Sequence, residues 1–269
     1  MPFVSDGRAL IRQLYEEGRT MAAFNVCSAE MVRACVEAAE AEGVPVILQT
    51  YPADLEQLAP KHMTALVRSF AEDAGVPVML HLDHGPTPEL AYSCLRAGFS
   101  SVMYDGAGFE LSEVIRTSAR LAEVAHAQGA AVEVAADSFS GAGTLTRPED
   151  ALRLKEGSGA DMVAVAVGSE HGADARLDLT LLADIAAQVR APLVLHGGSG
   201  VSAPDLTAAG RLGVVKVNIG SALYRALRRS WLASGSAKSH RDGYRDARAA
   251  LFAVARTKLR ALRGEADGS

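Results

Sequence analysis

Eight short apolar runs recur along this chain, each followed by an amphipathic stretch, and that recurrence limits the possible folds more than any other feature. The runs are residues 21–26 (MAAFNV), 45–50 (PVILQT), 77–84 (PVMLHLDH), 100–106 (SSVMYDG), 131–137 (AVEVAAD), 162–168 (MVAVAVG), 192–198 (PLVLHGG) and 214–220 (VVKVNIG). Their starts lie 22 to 32 residues apart, the length of one strand–loop–helix–loop unit. Near-continuous runs such as MVAVAV predict strands buried on both faces, hence a parallel sheet covered by helices. A six-stranded open sheet would leave two units over. Eight in succession predict an α/β fold closed as a (β/α)8 TIM barrel, and 269 residues suit one such barrel without a second domain. The expected organisation is therefore a single domain over 1–269, with 264–269 a frayed tail.

The intervening segments carry helical signals. Residues 28–43 (SAEMVRACVEAAEAEG) place Met31, Val32, Cys35, Val36 and Ala39 at a period near 3.6, with Ser28 as N-cap and Gly43 as stop. Residues 112–129 repeat the scheme, from Ser112 to Gly129. Pro45, Pro77 and Pro192 stand where strands open, a position that tolerates a missing N–H. After the eighth run, SALYRALRRSWLASG reads as its helix, and RDARAALFAVARTKLRALRG as a last helix packed outside the barrel.

Charge and composition exclude other classes. Lys+Arg total 27 against 32 Asp+Glu, a net charge of −5 without a block of five like charges, which argues against a nucleic-acid binder. No apolar run approaches the roughly 18 residues that a membrane span needs. The first residues lack a signal-peptide pattern. Cys27, Cys35 and Cys94 are scattered and odd in number, which fits a reducing cytoplasm better than a disulfide framework.

Barrels of this kind place their chemistry at the C-terminal ends of the strands. There stand Asn25; His81, Asp83 and His84; Asp105; Glu133 and Asp137; His171; His196 with Gly197-Gly198-Ser199-Gly200; and Asn218, Gly220 and Ser221. His62, His126 and His240 fall elsewhere and read as solvated. A lone strand-end histidine is more often structural than a ligand. However, His84, His171 and His196 share one rim, and three imidazoles with an open position make a catalytic zinc site. No cysteine stands there to close a structural one. Asp83 has two readings, a proton-transfer group beside the metal or a carboxylate that only orients a histidine. The glycine-rich turn after the seventh strand and the Asn-Ile-Gly-Ser turn after the eighth suit phosphate, which backbone N–H groups at helix N-termini bind.

HLDHG (81–85), AGFSSVMYDG (97–106), VGSEHG (167–172), LVLHGGSG (193–200) and KVNIGSAL (216–223), with AAFNV (22–26), resemble the class II, zinc-dependent ketose-bisphosphate aldolases, from about residue 3 to 262. The resemblance implies a zinc-dependent carbon–carbon lyase that cleaves or forms a phosphorylated ketose through a metal-stabilised enediolate of a dihydroxyacetone-phosphate-like donor. It implies Zn2+ on His84, His171 and His196, and Asp83 exchanging a proton with the C4 hydroxyl. It places the donor phosphate on Gly172, Gly197, Ser199, Asn218 and Ser221, beside a monovalent cation (Na+ or K+). Asn25 matches a substrate contact and Arg241 a contact to a distal phosphate. A homodimer or homotetramer is implied too.

Departures cluster near the substrate. On the fifth strand Glu133 is kept, but Ala135 stands for a second glutamate that can ligate metal in the family. The following loop is shortened, and the family's loop glutamate, which abstracts the carbon-bound proton, has no clear counterpart. Asp137 is the candidate to replace it. Tyr51 stands where a small hydroxyl residue is usual, and Ala107 for a serine. Lys216, the only strand lysine, sits where the family carries one without a Schiff-base role. A metal-dependent sugar-phosphate isomerase or epimerase, and a non-catalytic sugar-phosphate-binding relative, stay open beside the lyase.

Overall fold

The computed structural model describes residues 2–136, 145–169, 175–235 and 239–265. Eight parallel strands close into a barrel in sequence order. They are β1 (Met21–Asn25), β2 (Val46–Thr50), β3 (Val78–Gly85), β4 (Ser101–Tyr104), β5 (Ala131–Ala135), β6 (Met162–Val165), β7 (Leu193–Leu195) and β8 (Val214–Ile219). β8 closes the ring on β1, with Met21 opposite Lys216 and Ala23 opposite Asn218. Each predicted run holds one strand. β6 and β7 end three residues before their runs do. Gly168 and Gly197 there take φ of 101° and 68°, which turns the backbone out of the ladder and into the rim loops.

Helices flank the barrel. They are α1 (Gly7–Glu16), α2 (Ala29–Glu42), α3 (Pro52–Gln57), α4 (Pro60–Ala71), α5 (Pro88–Ala97), α6 (Leu111–His126), α7 (Pro148–Ser158), α8 (Leu179–Val189), α9 (Ala203–Arg211), α10 (Ser221–Ser234) and α11 (His240–Leu262). α2 has the predicted ends: the Ser28 hydroxyl accepts from Met31 N–H, and Gly43 takes a left-handed conformation. The predicted opening of α6 is corrected. The helix begins at Leu111 behind Glu110, because the buried stripe of Val114, Ser118, Leu121 and Ala125 sets its register. His126 is corrected as well: its Nε2 lies 2.9 Å from Asp161 Oδ2, so it is paired instead of simply solvated.

Two apolar layers build the core. One lies between the barrel wall and the helices and holds most of the buried Val, Leu and Ala. The other fills the barrel interior with Met21, Ala23, Ile47, Met79, Met103 and Met162. Ile11 and Leu14 of α1 join that inner cluster, so α1 acts as a plug under the strands' N-terminal ends. With the bottom packed by methionines, polar groups are confined to the upper layers and the opposite rim. α11 lies outside, as expected, against α2, α9, α10 and β1, burying Ala247, Leu251, Ala255 and Leu259. Arg256 Nε and Arg263 Nη1 lie 2.5 and 3.5 Å from the Glu42 carboxylate of α2. At the end of α11, Glu265 pairs with Arg263 at 2.7 Å. Residues 266–269 of the expected tail lie outside the described residues.

Candidate active site

The site begins with an irregularity at the end of β3. Regular alternation would send Asp83 and His84 to opposite faces of the sheet. The pairing of β3 with β4 shifts between Leu82 and Gly85, and His84 adopts a left-handed φ of 52°. Such a conformation is uncommon for a non-glycine residue and clusters at functional sites. It brings both side chains to the mouth of the barrel. The next residue has to be small: a Cβ on Gly85 would stand 2.5 Å from the Met103 carbonyl oxygen.

Asp83 is buried and held by amides from three neighbouring strands. Asn25 Nδ2 and Gln49 Nε2 donate to its Oδ2 at 2.7 and 3.0 Å, and Asn218 Nδ2 donates to its Oδ1 at 3.0 Å. Gln49 Nε2 also lies 3.0 Å from Asn25 Oδ1. The carboxylate is thus fixed in direction by donors only.

His84 and His196 stand beside it, their ring centroids 4.6 Å apart. His84 Nδ1 lies 2.7 Å from Asp105 Oδ2, and His196 Nε2 lies 3.0 Å from Glu133 Oε1. A metal would therefore take the opposite nitrogens, Nε2 of His84 and Nδ1 of His196. Ligand atoms of Asp83, His84 and His196 all lie within 4.8 Å of one another. Imidazoles backed by carboxylates are the usual support for a ligating histidine, so the donor set fits a divalent ion such as zinc.

Under this rim lies a layer of buried charge. Lys216 Nζ sits 2.9 Å from Glu133 Oε2 and donates to Asn218 Oδ1 at 2.6 Å. His81, expected at the rim from its place in the third run, lies inside the barrel instead. Its Nδ1 is 2.8 Å from Ser101 Oγ and its Nε2 3.5 Å from Glu133 Oε2. Burial, reinforced by Lys216, pushes His81 down to about 3, so it is neutral. Burial alone would raise Glu133, but Lys216 and the His196 hydrogen bond hold it well below the usual carboxylate range.

A cavity of about 170 Å³ opens beside Asp83. Asn25, Asp83 and Asn218 line it together with Gly197, Ser199, Gly220 and Ser221, and Tyr51 and Tyr224 complete its wall. The loops after β7 and β8 meet there, where the Ser199 hydroxyl accepts from Ala222 N–H at 3.2 Å. Ser221 opens α10 behind Gly220, with no side chain capping the helix. Tyr51 lies against His84, centroids 5.4 Å apart. Tyr224 reaches Asp54 Oδ2 at 3.5 Å, and Asp54 also accepts from Tyr51 N–H.

Of the residues singled out in the sequence, the structure brings together Asn25, Asp83, His84, His196, Gly197, Ser199, Asn218 and Ser221. Arg241 is exposed on the first turn of α11 and does not line the cavity. Asp137, His171 and Gly172 lie outside the described residues. Ala135 packs into the inner apolar cluster. Sequence reasoning missed Gln49, Tyr224 and the part played by Lys216. Lys216 had a readable signal: it shares a strand face with Asn218 inside an apolar run, a place where a lysine must find a carboxylate.

The family model for class II fructose-bisphosphate aldolase matches residues 5–266. The fructose-bisphosphate aldolase of Thermus caldophilus is 38% identical over 210 residues, covering 72% of this chain and 68% of the relative. The Escherichia coli K12 protein YdjI, described as uncharacterised, is 32% identical over 219 residues, covering 77% and 78%. A crystal structure of the YdjI aldolase of that organism superposes with a TM-score of 0.88 at 28% identity, covering 98% of this chain and 99% of the other. This chain belongs to the class II fructose-bisphosphate aldolase family and is an aldehyde-lyase.

Proposed function

We propose that this aldolase is zinc-dependent and acts on a phosphorylated ketose whose donor half resembles dihydroxyacetone phosphate. The observation that carries the reading is the Asp83 carboxylate, which stands beside the His84–His196 pair and lines one cavity together with the N-terminus of α10. His84 and His196 would hold the ion, with His171 from the loop after β6 as third ligand. Zinc bound there supplies Lewis-acid stabilisation of negative charge on the donor's oxygens.

The chain's own groups do the rest. In the cleavage direction Asp83 takes the proton from the C4 hydroxyl as the C3–C4 bond breaks, and in condensation it returns that proton to the aldehyde oxygen. Asn25, Gln49 and Asn218 all donate to Asp83, so none of them competes for the proton. The first-turn N–H groups of α10, with the hydroxyls of Ser199 and Ser221, receive the donor's phosphate, where the helix dipole favours an anion. Gly172 and a monovalent cation belong to the same subsite in this reading. Asp137 serves as the base for the donor's carbon-bound proton, and Arg241, exposed outside the cavity, contacts a distal phosphate that extends beyond it. The exposed aromatic face of Trp231 and Tyr244 supports contact between copies of the chain in a homodimer or homotetramer.

The test is incubation of the metal-loaded protein with ketose mono- and bisphosphates, with triose phosphate release followed by a coupled assay. Release that stops on chelation and returns with zinc is the expected result. Turnover indifferent to chelation would overturn the zinc assignment. Interconversion of ketose phosphates without triose phosphate would replace the lyase by an isomerase or epimerase.

A further inference from the structure

Among the described residues Lys216 is the one lysine inside the strand ring, and its side chain is completely buried. Its partners across the neighbouring strands are Met21 and Val194, both apolar. Burying an ammonium group is costly, and an ion pair in such a place is often matched or bettered by well-packed apolar residues. A purely structural position in this layer has no need of a lysine. What distinguishes Lys216 is where its two contacts lead.

One contact leads to the proton-transfer carboxylate. An ammonium group only donates. At 2.6 Å it holds the carbonyl end of the Asn218 amide, which leaves the amide nitrogen directed at Asp83 Oδ1. While Asp83 is ionised, its own charge would hold Asn218 the same way round. Once Asp83 carries the proton, an unrestrained amide could turn its oxygen to the acid and accept that proton in a hydrogen bond. Lys216 prevents the turn in both states. The protonated carboxyl then meets donors from Asn25, Gln49 and Asn218, and its outlet is the cavity. The other contact leads to the metal pair: Glu133 Oε2 is held by Lys216, while Oε1 receives His196 Nε2 at 3.0 Å.

We propose that Lys216 is a positioning residue that holds Asn218 as a donor to Asp83 and, through Glu133, holds the ring of His196. The inference rests on the zinc-aldolase reading above for its kinetic half and on the histidine geometry alone for its metal half.

The test is Lys216→Met, read by steady-state kinetics and by zinc competition with a chromophoric chelator. Loss of a residue supporting a metal ligand typically costs about 10–100-fold in affinity or activity, and the same range is expected here for kcat and for the zinc dissociation constant. KM should rise less than kcat falls, because the α10 N–H groups and the hydroxyls of Ser199 and Ser221 keep their places while only Asn218 of the cavity wall is released. A second variant, Lys216→Met with Glu133→Gln, leaves no unpaired charge buried and guards against misfolding. The amide oxygen introduced by Glu133→Gln can still accept from His196, so zinc affinity should recover towards wild type while the kcat loss stays. A folded Lys216→Met with wild-type kcat would overturn the proposal. So would a double variant that regains full kcat, since Lys216 would then only neutralise Glu133. If the wild-type protein releases no triose phosphate but Lys216→Met still weakens zinc, the lyase reading fails and the role towards His196 stands.

Discussion

Asp83 accepts three amide hydrogen bonds on two oxygens, and that arithmetic makes Asp83→Asn informative beyond the loss of an ionisable group. Asn offers one oxygen and one nitrogen. Its oxygen can satisfy Asn25 and Gln49, but its nitrogen then faces Asn218 Nδ2. Asn218 cannot turn to receive it, because Lys216 holds its other end. One donor–donor contact remains, and an unsatisfied buried polar group costs about 1–3 kcal/mol of stability. Turnover should fall by about 10²–10⁴, the usual contribution of a positioned acid or base. Zinc content should stay near wild type, since the two histidines keep their supporting carboxylates. Kinetics, metal analysis and denaturant unfolding of one preparation check all three. Full activity in the variant would remove Asp83 from the proton transfer.

At the scale of elements, the loops after β7 and β8 form one platform because Ser199 ties itself to the first turn of α10. Ser221→Val removes a hydroxyl and adds bulk at the mouth of that turn. A lost hydrogen bond to a charged group is worth about 1.5–3 kcal/mol, so dihydroxyacetone phosphate should bind about 10–100-fold more weakly. Its unphosphorylated parent should be far less affected, and calorimetry with both ligands measures the difference. Equal losses would mean that the turn does not receive phosphate. These elements were legible in the sequence for a physical reason: a strand covered on both faces reads as an apolar run, and its polar rim residues stand out at the end. The plug helix α1 was not, because the residues that Ile11 and Leu14 meet in the core, Met79, Met103 and Met162, come from distant strands. The same limit hid the site's lower layer. Asp83, His84 and His196 were visible as strand-end residues, but the shift that turns both Asp83 and His84 to the mouth depends on pairing with β4. That Lys216 meets Glu133 follows only from barrel closure.

The molecule as a whole buries titratable groups at its centre, and its stability should therefore depend on acid in a specific window. His81 from β3 is surrounded by Ser101 on β4, Glu133 on β5 and Lys216 on β8, with Asp83 and His196 close above. Its ordinary value of 6.5 falls to about 3 in the folded protein. Below pH 6.5 the unfolded chain takes a proton that the native chain refuses until about pH 3. The unfolded state then binds more protons, so stability falls with falling pH, by about 1.4 kcal/mol per pH unit for this one group. Glu133 works in the same direction but lower down. Its folded value lies below its ordinary 4.5, so its stabilisation is complete above that pH and is lost only beneath it. The interval between pH 6.5 and 4.5 thus separates the two. His81→Gln removes the titrating ring and keeps a side chain able to reach Ser101. Unfolding free energies of wild type and variant, measured by denaturant titration across that interval, should converge as pH falls, with the variant's curve the flatter. Metal loss in acid acts on both proteins and drops out of the comparison. Parallel curves would mean that His81 takes up its proton within the fold, and that the charge layer beneath the site opens before the barrel does.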